Sequence, residues 1–296
     1  SSLLKDRSLP ATVLLHYVGY GYARRGCPVW LVEGLRQWRT TGLNQFLVTM
    51  FHETYACGPP WSSSFWLSPL QRNLVARLAQ ISDRCFTSTQ DYAKVLYKLS
   101  LGKQTQIPTL PVFSTIGEPE RVSPLAERER RIVVFGSSRN RLQVYRKSLA
   151  QLELTCQLLE IEEIWDVGPS TSLTLSTVNG VPVVELGVRS GSEISGFMLN
   201  SLAGFFDYSC DCLAKSTIFA AYCAHGLLPV SAQRSTLPLD GIEAGKHYWM
   251  PDRQTTTMKE LVELQAIAAH AYAWYQTHNL AVQAKTFAAL LADYLG

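Results

Sequence analysis

The sequence is short of charge, and short of any one sign of it. Charged residues make up 17% of 296 positions, and the formal net charge is +3. With no basic stripe interleaved with aromatics, that balance argues against a nucleic-acid partner. No run of about 18 apolar residues occurs, so no membrane-spanning helix is expected. No signal peptide is expected from the chain's opening residues. SSLLKDRSLP reads instead as the tail of a helix and a loop, as if the chain began inside a larger domain. The full G-x-G-x-x-G spacing is missing, which argues against a nucleotide-dependent oxidoreductase. Repeats and low-complexity stretches are absent too. The seven cysteines are odd in number and fit neither a disulfide framework nor a zinc site. They read as reduced thiols of a cytoplasmic protein, with no metal and no cofactor expected.

What is there is an alternation of buried strands and helices. Hydrophobic residues make up 47% of the chain, enough for one or two domains with a sizeable core. Near-continuous apolar runs predict strands at Thr12–Val18, Gln45–Phe51, Cys85–Ser88 and Pro111–Phe113, with helices at Pro28–Thr40, Ser68–Ser82 and Asp91–Leu99. The charged, proline-containing stretch 116–131 reads as a boundary. It gives domains at 1–120 and 121–296, with the last helix crossing back. The second half predicts strands at Arg131–Phe135, Ile161–Val167, Val181–Leu186, Phe205–Tyr208 and Leu227–Val230, and a short strand at Lys246–Met250. Helices are expected over 141–158, from Ser192 to about Ala203, over Ala214–Ala224, and over Leu280–Leu295. Thr255–Thr257 would cap a further helix that includes Leu261, Leu264 and Ile267. The pattern is that of two α/β domains with mostly parallel sheets, and a cleft between them is the default site.

Chemistry-bearing residues recur where predicted strands end. Gly19, Tyr20, Gly21 and Tyr22 follow the first strand. The glycines allow close backbone approach, and the tyrosines offer flat faces and hydroxyls. They equally suit a plain turn whose tyrosines cover the core. His52 and Glu53 follow the second strand. His52 suits general acid–base work near neutrality, or a purely structural role. The irregular loop CGPPWSSSFW (57–66) reads as a lid or an acceptor loop, or as aromatics pinning a long loop. After Arg131–Phe135, a turn with Gly136, Arg139 and Arg141 opens a helix. Either arginine suits bidentate phosphate binding, or simple solvent exposure.

The stretch FFDYSCDCLAKSTIFAAYCAHGLLPVSA (205–232) gathers most of these signals. It reads as strand, polar turn, helix closed at Gly226, and strand. Lys215, Ser216 and Thr217 stand at the helix start, where backbone N–H groups, two hydroxyls and an ammonium suit a phosphate. A capped helix with a surface lysine fits the same residues.

Four segments together, HYVGYGYARRGCP (16–28), VTMFHE (48–53), VVFGSSRNR (133–141) and LAKSTIFAAYCAHGLLPV (213–230), resemble glycosyltransferases of the GT-B fold, in the retaining nucleotide-sugar group. The resemblance implies two Rossmann-like domains facing each other across a cleft. It implies a nucleotide-sugar donor, a UDP- or GDP-sugar, on the second domain and a hydroxyl acceptor on the first. Lys215, Ser216 and Thr217 would then contact the donor diphosphate, with Gly136 and Arg139 or Arg141 beside them. His52 would face the reacting sugar or acceptor, and transfer would need no metal. Two departures stand out. Where the group carries a Glu, seven residues, then Glu pair, this chain has Leu213 and Ala221, with Asp211 nearby as a substitute. The strand and glycine-rich loop that usually precede the His16 region are missing, so a reduced or truncated first domain is expected. A catalytically silent nucleotide-sugar-binding or interaction protein is the alternative. A sugar epimerase would need carboxylates beyond Glu53 and Asp211. Contact with a membrane surface is compatible with the sequence, although no amphipathic basic helix demands it.

Overall fold

The computed structural model describes residues 11–41, 45–172, 175–235, 237–251 and 260–292. The chain forms two units, residues 1–111 with 285–296, and residues 112–284.

Among the described residues, the first unit is built on three parallel strands in the order β1-β2-β3: β1 (Ala11–Tyr17), β2 (Gln45–Phe51) and β3 (Arg84–Thr87). The β1–β2 register runs from Ala11↔Gln45 to Tyr17↔Phe51. Side chains alternate across β2, as the pleat requires. Leu47 and Phe51 enter a core with residues of α2 (Val29–Thr41), α3 (Ser63–Ile81) and α4 (Gln90–Leu99). Val48 and Met50 point the other way, with Phe86, against Phe287, Leu290 and Leu291 of the final helix, α10 (Leu280–Ala292). Covering both faces explains why β2 is apolar without a break. A one-turn helix, α1 (Gly19–Tyr22), follows β1.

Among its described residues, the second unit carries six strands in the order β6-β7-β5-β4-β8-β9. These are β4 (Glu129–Phe135), β5 (Glu163–Val167), β6 (Thr177–Val178), β7 (Val181–Gly187), β8 (Ser201–Phe206) and β9 (Leu228–Ser231). All pairings are parallel except the β6–β7 hairpin, which turns through Asn179 and Gly180 at φ 48° and 81°. The helices are α5 (Ser138–Lys147), α6 (Leu149–Leu158), α7 (Gly191–Asn200), α8 (Thr217–Ala224) and α9 (Leu261–Gln276). Ile132 and Val134 of β4 face the α5–α6 side, and Val133 faces the α7–α8 side. Among the described residues, no helix is long and apolar enough to cross a membrane.

Several elements differ from the expectation, each for a local reason. The boundary falls at Pro111/Val112 and not at 120/121. Val112, Phe113 and Ile116 pack on the second unit's core, and the Val112 N–H donates to the Ala214 carbonyl at 2.8 Å. That bond also replaces the strand expected at Pro111–Phe113. Helix 141–158 is two helices, broken at Ser148 (φ −124°, ψ 22°), whose hydroxyl donates to Asp207 at 2.9 Å. Helix α7 ends at Asn200, and β8 occupies 201–206 instead of 205–208. Helix α3 starts earlier than Ser68, because Ser62 caps it by accepting from the Phe65 N–H at 3.3 Å. Lys246–Met250 makes only isolated bridges, Ala244↔Tyr248 and Val230↔Trp249. The cap expected at Thr255–Thr257 lies outside the described residues.

Candidate functional site

In the second unit the chain leaves β4 for β5 and β7 on one side, then returns to β8 and β9 on the other. The order reverses between β4 and β8. Open α/β sheets place ligands outside the carboxyl ends of the strands at such a point. Two segments meet there, the Gly136–Ser137 turn after β4 and the loop from Asp207 to Ser216 after β8.

Tyr222 of α8 clamps this junction. Its hydroxyl lies within hydrogen-bond reach of the Val133 carbonyl at 3.0 Å and the Phe205 carbonyl at 3.2 Å, and it accepts the Phe135 N–H at 3.1 Å. One buried oxygen thus binds both strands beside the reversal. The ring has room only because residue 204 is glycine. A Cβ there would lie 2.6 Å from the ring. Nothing local in the sequence distinguishes Tyr222 from an apolar helix residue.

The Gly136 turn is held on both sides. Its φ of +136° favours glycine. A Cβ on it would stand 2.7 Å from Ile218 Cδ1, in the first turn of α8. A Cβ on Gly168 would stand 2.2 Å from the Gly136 carbonyl oxygen. Gly136 therefore lies directly against the start of α8. Ser137 caps α5 by accepting the Asn140 N–H at 3.3 Å, and Ser216 caps α8 by accepting the Phe219 N–H at 3.2 Å. The first N–H groups of a helix have no acceptor within it, and a dipole of positive sense adds to them.

The predicted cations divide. Arg139 is exposed on the first turn of α5, and Lys215 is half-buried in the turn just before Ser216. Arg141 corrects the expectation that it meets a phosphate. Its side chain is 1% exposed. It points inward and is consumed by the Asp166 carboxylate and by the Gly136 and Pro169 carbonyls. Arg141 builds the turn and leaves no face open to a ligand. Thr217 and Asp211 are exposed, and Ser216 is buried with its oxygen used as the cap. Leu213 and Ala221 lie in the apolar core.

In the first unit, the carboxyl ends of β1 and β2 bring two imidazoles together. His16 Nδ1 and His52 Nε2 are 3.0 Å apart, and the rings stack with centroids at 5.3 Å. Burial lowers the pKa of both, and for His52 the neighbouring His16 lowers it further. Both rings are therefore neutral at pH 7, and one must donate its proton to the other. The backbone N–H of His52 donates to the Tyr17 carbonyl at 3.1 Å, and the Tyr22 hydroxyl to the His16 carbonyl at 2.9 Å. Phe287 packs against His16 with ring centroids at 5.9 Å. Gln71 binds the Tyr20 hydroxyl at 3.3 Å. Gly19 is buried, Gly21 is exposed, and Glu53 is half-buried. His16 was missed as a site residue. The available signal was a histidine near the end of each of the first two predicted strands, His16 two residues before the end of one and His52 just after the other. Among the described residues, no group of three or more His, Cys, Asp or Glu gathers as a metal site would need.

No protein-family model matches the sequence, and no curated protein sequence does. Solved structures do match. An alpha-glucosyltransferase bound to UDP and DNA superposes over 100% of this chain and 83% of its own, with TM-score 0.55 and 10% identity. A UDP-forming trehalose-phosphate synthase from Burkholderia xenovorans covers 96% and 74%, with TM-score 0.58 and 13% identity. WaaG, a glycosyltransferase of lipopolysaccharide biosynthesis, covers 95% and 89%, with TM-score 0.50 and 11% identity. At such identities the likeness speaks for architecture, and on it the chain has the fold of the GT-B glycosyltransferases.

Proposed function

We propose that the protein is a glycosyltransferase that moves a sugar from a nucleoside-diphosphate donor to a hydroxyl acceptor. The observation that carries this reading is the contact of the Gly136 turn with the first turn of α8, beside Lys215. Backbone N–H groups and a cation then share the place where the sheet order reverses, and a pyrophosphate suits that place. The donor half of the reaction belongs to this unit. Lys215, Arg139 and the α8 N-terminus neutralise the charge that grows on the leaving diphosphate as the anomeric C–O bond breaks. These fixed cations take the part a metal ion would otherwise play. The acceptor half belongs to the first unit, with Tyr20, Tyr22 and Glu53 near the histidine pair. There the acceptor oxygen gives its proton to His52 or to the departing phosphate oxygen. UDP is the favoured nucleotide, since two of the structural neighbours hold UDP or UDP-glucose.

A panel of UDP-, GDP- and ADP-sugars in a thermal-shift assay tests the donor. A ligand at 100 times its Kd stabilises by about 2.7 kcal/mol, which moves the melting point of a unit this size by several degrees. One nucleotide should do so, and the proposal fails if none does. The silent alternative is favoured by Leu213 and Ala221, both buried where the family resemblance calls for carboxylates. Binding of a donor with neither hydrolysis nor transfer, across a panel of acceptors, would establish it.

A further inference from the structure

One face of the first unit is aromatic and cationic, with nothing acidic in the segments that form it. Residues 20–30 and 54–72 contain Arg24, Arg25 and Arg72 and no aspartate or glutamate. Gln71 joins the two segments. Its Nε2 donates to the Arg25 carbonyl at 2.8 Å, and its Oε1 accepts the Ala56 N–H at 2.8 Å. Beside it opens a cavity of about 540 Å³, whose lining includes Tyr55, Phe65, Trp66, Pro69 and Arg72.

Phe65 and Trp66 at this cavity, and Trp61 in the loop before them, face solvent. Trp61 is 87% exposed, Trp66 73% and Phe65 43%. Trp66 is not loose: its indole N–H donates to the Pro60 carbonyl at 2.9 Å, and its ring meets Phe65 edge to face at 5.4 Å. An apolar group fixed in water costs free energy, and a cluster of them marks a surface made for a partner.

We propose that this face rests on an anionic lipid bilayer. Tryptophans of this kind settle at the headgroup level, with apolar body and polar N–H both satisfied. Arginines beside them match lipid phosphates in charge and in fork geometry. The cavity among the rings has room for part of an acyl chain. A single-stranded polynucleotide would also use aromatics and arginines, but it needs successive stacking platforms along a charged groove. Here the rings cluster around one apolar hollow, which favours the bilayer.

Flotation with phosphatidylcholine vesicles, with and without 30% phosphatidylglycerol, decides the matter alongside tryptophan emission. The full chain should float with the anionic vesicles and not with the neutral ones, and its emission should shift to the blue. Replacing Arg24, Arg25 or Arg72 with alanine should weaken anionic binding about five-fold each, the equivalent of about 1 kcal/mol per basic residue near a charged surface. The W61A/W66A double variant should lose the blue shift and most of the binding. Its melting point should fall only slightly, because the variant gives up one exposed hydrogen bond and one exposed ring contact of Trp66. Equal retention on both vesicle types, no retention, or retention unmoved by either set of substitutions would overturn the proposal. Capture of a single-stranded oligonucleotide without vesicle binding would overturn it as well. Donor binding is measured without vesicles, so failure here leaves the sugar-transfer reading standing, and the reverse also holds.

Discussion

The strand ends of the two sheets carry their polar groups in opposite ways. In the six-stranded sheet the charges turn inward. Arg141, Asp166 and Asp207 are buried, and each is tied to a turn or to a neighbouring segment. Asp207 accepts from Ser148 at 2.9 Å and from Gln233 at 2.5 Å. Beside them stand the half-buried Gly136 and Lys215, the exposed Thr217 at the start of α8, and the exposed Arg139. In the three-stranded sheet the polar groups stay near solvent: two imidazoles, two tyrosines and a carboxylate. The larger sheet has core enough to enclose an ion pair and to use it to hold backbone N–H groups in place. The smaller one presents side chains instead. A rigid backbone cradle suits an anion whose shape is constant. Side chains that titrate suit proton transfer.

Removing the inward charge should cost the most. Arg141→Ala strands a buried Asp166, and losing one partner of a buried pair costs about 3–5 kcal/mol. Denaturant titration should show that loss, while Arg139→Ala should leave stability unchanged. If Arg141→Ala folds normally and loses only donor affinity, the inward reading of this arginine is wrong.

Next comes Lys215, half-buried just before the α8 cap. Lys215→Ala should lower turnover by about 10²–10³, the scale set by loss of one preorganised donor at a developing anion. Steady-state kinetics with the nucleotide sugar identified by thermal shift would measure it. An unaltered kcat/KM would remove Lys215 from the donor site.

These two residues also show what the sequence could reveal. Arg139 and Arg141 are two positions apart in a polar turn, and on paper either one meets a phosphate. Burial alone separates them, and burial depends on Asp166 and Gly168, which arrive from the next strand. Strand β2 was legible to the residue, because apolar side chains must fill both faces of a covered parallel strand. The break at Ser148 was not, since its partner Asp207 lies 59 positions away. Strand β8 was misread for a similar reason. Leu202 and Ala203 continue the apolar spacing of α7, and only the tertiary pairing with β4 makes them a strand. The β4–β8 reversal is a property of strand order, which no local pattern records.

A third test asks whether the second unit stores another buried titrating group. His278 is 4% exposed, packs against Trp274 and Tyr275, and its Nε2 has no hydrogen-bond partner among the described residues. Burial pulls its pKa down to about 4. The unfolded chain, with histidine near 6.5, binds more protons than the folded one between those two values. Stability is therefore full above pH 6.5 and falls as the pH drops toward 4, by on the order of 3 kcal/mol. His278→Phe should remove that portion of the acid sensitivity. Parallel stability–pH curves for the two proteins would show His278 idle.

The smallest effect is expected at the exposed strand ends, from His16→Phe. The ring stays between His52 and Phe287, but the hydrogen bond to His52 Nε2 is gone. One neutral hydrogen bond is worth about 1 kcal/mol, so kcat should fall about five-fold. The direction of the pH profile is the more telling readout. His16 helps to hold the His52 pKa down, so removing it lets that pKa rise toward its ordinary value. A general base works when neutral, so the acid limb of kcat/KM should move to higher pH, with the alkaline side unchanged. A merely structural role for His16 would lower activity equally at every pH. In that case the two imidazoles would be a packing contact, and the proton would leave with the phosphate.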